Sequence, residues 1–171
     1  MRSSWHAATT AVVTACQQIL DCDVFDSAPT TADELPAALF VGWQAGMAVD
    51  SAAGVISQQP HDAGLPAARM ESGEIRCTIL AQSGDMEVAP VRERAFDILA
   101  QVASIFHLVP TAGGTTRPSQ AAQTLLTTWS SITSAQLLTV DVSQAVVTQG
   151  NTPRGVYAQI DFTASYEALI T

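Results

Sequence analysis

The chain has 171 residues and a formal net charge of −9, and all 7 of its basic residues are Arg. This length fits one domain, 1–171, with a sizeable hydrophobic core. Without Lys, the chain can form neither a Schiff-base nucleophile nor a phosphate-binding Walker loop. Its scattered Arg residues make no basic patch for a nucleic acid backbone. No run reaches the ~18 apolar residues of a membrane-spanning helix, so we expect no membrane partner.

The first predicted elements are a helix and two short strands. Apolar residues recur at steps of three and four over 4–20, which predicts an amphipathic helix with Ser3 or Ser4 as its cap. Residues 24–26 are a candidate short strand. The continuous apolar run 38–43 is typical of a central strand that is covered on both faces.

The middle of the chain is predicted to be a long loop, a strand and a helix. Residues 44–68 are rich in Gly, Pro, Ala and Ser without periodicity, which predicts a long loop. Alternation of apolar and polar residues over 69–82 predicts a strand with one buried face. Apolar spacing over 86–107 predicts a helix, with Asp85 placed to cap it.

The last third is predicted to begin with a second long loop over 111–136, in which 120–129 have the spacing of a short helix. Strands at 137–147 and 156–166 follow, and the alternation predicts a hairpin with one buried face. The whole order predicts an α+β fold. We expect a single mostly antiparallel or mixed sheet of four to five strands, with two helices packed on one face.

The sequence offers no pattern of catalytic or metal-binding residues. His6, His61 and His107 have no carboxylate or Cys at ligand spacing. Three cysteines without tight spacing predict neither a disulfide framework nor a zinc site. Ser83 precedes Gly-Asp, which is a turn pattern and not a nucleophile elbow. We therefore expect no catalytic residues, no cofactor and no metal, and a structural or binding protein.

Each of the two predicted loops has a tryptophan beside it or within it. Trp43 precedes the first loop and Trp129 lies within the second, and each fits the core as well as a subunit interface. A single subunit gains little from ordering such long segments, whereas a ring subunit can use them to reach its neighbours.

Five segments carry a resemblance to a known family. In chain order they are ALFVG at 38–42, EIRCTILAQSGD at 74–85, RERAFDIL at 92–99, AGG at 112–114 and PRGVYAQIDF at 153–162. In this order they resemble the tail terminator proteins of long-tailed phages of Actinobacteria, over most of residues 20–168.

The resemblance implies a homohexameric ring at the head–tail junction of the virion, and no enzymatic activity. Such a ring caps the tail tube, terminates tail polymerisation and joins the tail to the head-side connector. The implied partners are further copies of this chain, the tail tube protein and the connector or stopper protein. DNA would pass through the lumen without specific binding.

The residues fit a ring in two ways. A closed ring needs two different patches on each subunit, and candidate interface residues from the two predicted loops and their flanks are Trp43, Met47, Val55, Ile56 and Trp129. The acidic charge would keep passing DNA from adhering to the lumen, by repulsion over the ~8 Å screening length.

Three alternatives stay open. The nearest is a head-completion or stopper ring of the same neck. Another is a secreted or lipid-anchored small-ligand binder, because VTAC at 13–16 resembles a lipoprotein cleavage box that ends at Cys16. The third is a small hydrolase that uses Ser83 or an Asp pair, although no base is placed beside a nucleophile.

Overall fold

The computed structural model describes residues 4–28, 35–44, 53–60, 68–85, 87–107 and 119–170. The helices are α1 (Trp5–Ile19), α2 (Val88–Phe106) and α3 (Gln120–Ile132). The strands are β1 (Asp23–Asp26), β2 (Ala37–Val41), β3 (Gly54–Pro60), β4 (Arg69–Ser83), β5 (Gln136–Thr152) and β6 (Gly155–Ile170).

Two long antiparallel strands, β4 and β6, form the centre of the sheet. Their register places Ile75 opposite Ala164, and Ile79 opposite Ile160. All four side chains are buried, because apolar residues alternate with polar ones along both strands and therefore share one face. The alternation that predicted these two strands is confirmed.

The sheet has six strands in the order β1-β2-β4-β6-β5, and β3 pairs with β4 outside this path. β2 pairs with the second half of β4 and β3 with its first half, so they lie end to end on the same side of β4. β1 is parallel to β2, and the other pairs are antiparallel. The predicted α+β fold with a mixed sheet is confirmed, with six strands in place of four to five.

Both predicted long loops were wrong in part. Within 44–68, the structure places β3, which pairs along its whole length with β4. Within 111–136, α3 occupies Gln120–Ile132 and is longer than the short helix expected at 120–129. Ser119 caps the start of α3, because its Oγ accepts a hydrogen bond from the Ala122 N–H at 3.1 Å. The described residues thus contain three helices, one more than the two that were expected to pack on the sheet.

The three helices cover one side of the sheet, here called the helix face. α2 packs on β4, β5 and β6, and α1 lies beside α3. The buried stripe of α2 consists of Val91, Ala95, Ile98, Val102, Ile105 and Phe106. The opposite side, here called the open face, carries the residues that alternate with the core positions, such as Arg76 and Thr78 on β4.

Neither Ser4 nor Asp85 caps the helix predicted for it, and Ser3, the other candidate cap of α1, lies outside the described residues. α1 starts after Ser4 and α2 starts after Glu87, and neither residue makes a side-chain cap hydrogen bond. Asp85 lies in the preceding turn, where its backbone N–H donates to the Ser83 Oγ at 3.1 Å. The Ser4 hydroxyl is used elsewhere, as described below.

Candidate functional site

The predicted interface residues that the structure describes lie in three separate places: after β2, in α3 and on β3. Met47 lies outside the described residues. Trp43 is half-buried, and its ring meets Phe40 edge-on with the centroids 5.5 Å apart. Trp129 is buried in the core of the subunit, and its indole N–H donates to the Ala135 carbonyl at 2.7 Å. Trp129 therefore holds the turn between α3 and β5, and its burial favours a place in the core of the subunit.

The other two predicted interface residues, Val55 and Ile56, are exposed on β3. Their side chains are 54% and 43% accessible. Val55 is paired with Glu74 and Ile56 with Gly73, so the two project from opposite faces of the sheet. In the part of the chain that the structure describes, β3 pairs only with β4. Its outer edge is therefore a strand edge with an apolar side chain on each face.

A second exposed edge, on β5, was missed by the sequence analysis. Val146 and Val147 are 59% and 43% accessible and project from opposite faces, since they pair with Asp161 and Ile160. No charged residue occurs between Asp141 and Arg154. Among the described strands, β5 pairs only with β6. The uncharged run of β-branched and amide residues was the signal that could have found this edge.

The open face of the central strands is acidic. Glu74, Asp141, Asp161 and Glu167 occupy its register positions on β4, β5 and β6, together with Arg76. The Asp161 carboxylate accepts hydrogen bonds from Thr78 Oγ1 at 2.6 Å and from Gln159 Nε2 at 2.7 Å. The parts of this face on β4, β5 and β6 therefore present four carboxylates and one guanidinium per subunit.

A groove of about 1000 Å³ lies where β4 ends and α2 begins. Apolar side chains and four carboxylates line it. Asp21 on its rim accepts a 2.8 Å hydrogen bond from Arg94, which lowers the pKa of Asp21 and raises that of Arg94. Burial raises the pKa of the Cys22 thiol in the groove to about 11, so this thiol is protonated at neutral pH.

At the opposite end of the sheet, Glu71 is fully buried. Its Oε1 accepts from the Ser4 N–H at 2.9 Å, from the Ser4 hydroxyl at 2.5 Å and from the Tyr166 hydroxyl at 2.9 Å. Its Oε2 accepts from Gln58 Nε2 at 2.6 Å. Burial raises the pKa of Tyr166, and the hydrogen bond to Glu71 adds to the effect. Glu71 thus connects the start of α1 to β3 and β6.

The described ranges hold no group of three or more His, Cys, Asp or Glu residues that could bind a metal ion. Within the same ranges, none of the helices has the length and apolar character needed to cross a bilayer. Comparison with known protein families finds no family model that matches the chain, and comparison with curated proteins finds no similar sequence.

Proposed function

We propose that this protein is a structural subunit of a phage virion, the tail terminator, which assembles as a homohexameric ring on the tail tube. In this role the ring stops tube polymerisation and joins the tail to the head-side connector. The proposal places the protein at the head–tail junction, with the tube protein and the connector protein as its partners.

One observation carries the proposal: each subunit exposes two unlike apolar strand edges on opposite sides of a single sheet. β3 presents Val55 and Ile56, and β5 presents Val146 and Val147. A head-to-tail ring requires two different patches on every subunit, whereas a two-fold dimer needs only one. Exposed hydrophobic edges of this kind are costly for a monomer because they invite further strand pairing.

The acidic open face supports the same role. A channel for DNA must not bind the duplex, and carboxylates repel phosphates over the ~8 Å screening length. A hexamer would carry six copies of Glu74, Asp141, Asp161 and Glu167, each set with a single Arg76.

Native mass spectrometry of the purified protein tests ring formation, and a tube polymerisation assay tests the activity. We expect a hexamer. We also expect added protein to halt the growth of tail tubes at the end that will face the head. A protein that stays monomeric at high concentration contradicts the ring. A ring that binds only the head-side connector and leaves tube growth unchanged identifies a stopper ring instead.

A further inference from the structure

The two exposed edges, on β3 and β5, are both free of charged residues over the stretch that carries their exposed apolar side chains. β3 contains no charged residue, and β5 contains none between Asp141 and Arg154. Natural edge strands usually carry charges or Pro that prevent pairing with another chain. The third edge, β1, has this protection, because two of its four residues are Asp23 and Asp26. The edges without such protection along their length are therefore β3, whose one Pro is its last residue, Pro60, and the second half of β5.

We propose that β3 of one subunit pairs with the second half of β5 of the next subunit, so that the sheets join into one continuous sheet around the ring. This inference rests on the proposed ring. Backbone hydrogen bonds would supply the affinity, as in other cases of strand addition. Val55 and Val146 share the open face and Ile56 and Val147 share the helix face, so each side chain gains an apolar neighbour, directly opposite or diagonal.

The topology sets the direction of this pairing. β3 is antiparallel to β4, whereas β5 runs in the direction of β4 because both are antiparallel to β6. Rotation about a ring axis leaves the direction in which each strand runs along that axis unchanged. The new β3–β5 contact is consequently antiparallel, like four of the five strand pairs inside the subunit.

The register sets the tilt. Ile56 lies level with Gly73 of β4, and Val147 lies level with Ile79 through Ile160 of β6. These levels differ by six residues of β4, which is about 20 Å at ~3.4 Å per residue. One subunit contributes four strands side by side, which span about 19 Å at ~4.8 Å each. The ratio of the shift along the strands to the width across them corresponds to a strand tilt of about 45° from the ring axis. This tilt is at the upper end of the ~35–45° typical of closed barrels.

Chirality then decides which face points to the axis. Consider the sheet with β4 running upward and the helix face toward the viewer. Because Arg76 is an L-residue on the open face, its backbone N–H and C=O groups then point to the left, where they form hydrogen bonds with Ala53 and Gly42. β3 is therefore at the lower left, and Val147 is at the upper right. The strands of a barrel wind around its axis in a right-handed sense. Seen from outside the barrel, the upper right edge of one subunit therefore meets the lower left edge of the next subunit. The helices lie outside, and the acidic open face lines the hole.

Disulfide cross-linking tests the pairing. In the Val55→Cys/Val146→Cys variant, copper-phenanthroline oxidation is expected to give a ladder of covalent multimers up to the ring, with Ile56→Cys/Val147→Cys covering the adjacent register. The parent chain is the background control, because Cys16 and Cys77 are buried and the pKa of Cys22 is about 11. Phe25→Cys/Val146→Cys is the matched control for the β1 edge. Circular dichroism checks that every variant folds.

The outcomes separate the inference from the proposed function. Suppose that native mass spectrometry gives a ring. The β3–β5 pairing is then overturned if cross-links form only in Phe25→Cys/Val146→Cys, if the single Val146→Cys variant cross-links by itself, or if no variant cross-links. None of these three outcomes contradicts the ring. A monomer by native mass overturns the ring itself. For the orientation, a bulky maleimide–protein conjugate should label Glu93→Cys on α2 in the ring, and Glu74→Cys only after dissociation. The opposite reactivity overturns the inward open face.

Discussion

Where β4 begins, Glu71 is fully buried and accepts hydrogen bonds from Ser4, Gln58 and Tyr166, whereas where β4 ends, Asp21 is exposed and pairs with Arg94. The first carboxylate is tolerated in the core only because donors surround it, since an unpaired buried charge is very costly. The second gains little because water screens it. The first end therefore fixes α1, β3 and β6 relative to one another, whereas the contact at the second end adds little to stability.

Removing Glu71 should have the largest effect on the single subunit. In Glu71→Ala, the Ser4, Gln58 and Tyr166 donors lose their acceptor, and a buried donor without a partner costs ~1–3 kcal/mol. We expect a loss of at least about 3 kcal/mol in the free energy of unfolding, measured by urea denaturation. Glu93→Ala, on the exposed side of α2, is the control and should change stability by less than ~0.5 kcal/mol. Equal effects of the two substitutions would contradict the contrast between the ends.

Gly73→Ala should have the next largest effect. A Cβ at Gly73 would lie 2.2 Å from a ring carbon of Tyr166, so the ring or the strand must move. Overpacking of this kind costs ~1–3 kcal/mol. Gly84→Ala at the other end is the matched control, because a Cβ there meets no described atom closer than 4.0 Å. The cost should shrink in a Tyr166→Leu background, and an unchanged cost there would show that the ring is not the obstacle.

Val146→Lys should separate assembly from folding. Its side chain is 59% exposed, so the unfolding free energy should change by less than ~0.5 kcal/mol. A charge on the β5 edge opposes strand pairing, and we expect the concentration for half-assembly to rise at least about tenfold, ~1.4 kcal/mol. Analytical ultracentrifugation measures it. Phe96→Lys, on an exposed position of α2, should assemble like the parent, and normal assembly of Val146→Lys would exclude this edge.

The long periodic elements could be predicted from sequence, and β3 could not. β4 and β6 are 15 and 16 residues long, and their alternating apolar positions, such as Ile75 on β4 and Ile160 on β6, enter the same core. β3 has seven residues, of which Ser57, Gln58 and Gln59 are polar, and Gly and Pro are at its ends. An edge strand needs only backbone hydrogen bonds to its neighbour, so its side chains carry little information about its structure.

The same limit applies to the candidate site. Glu71 lies two and four residues before Gly73 and Ile75, on the core side of the predicted alternation, but sequence alone does not show that donors from α1 and β6 will meet it. Trp129 has helical spacing with Leu125, which was evidence for the core, and its bond to Ala135 is visible only in the fold. The apolar edge of β5 was readable as an uncharged run, but its exposure depends on where the helices end.

The smallest effect should come from the Asp21–Arg94 pair. The Arg94 hydrogen bond lowers the pKa of Asp21 from its ordinary value of 3.8. A carboxylate whose pKa is lower in the folded state stabilises the protein above its unfolded value, and this stabilisation is lost as the pH falls through the folded value. A double-mutant cycle with Asp21→Asn and Arg94→Gln should therefore give a small coupling at pH 7 that disappears in acid and weakens with salt. A coupling that persists after Asp21 is protonated would contradict the charge pairing, because the Asp21 backbone carbonyl, which also accepts from Arg94 at 3.2 Å, is retained in Asp21→Asn and cancels from the cycle.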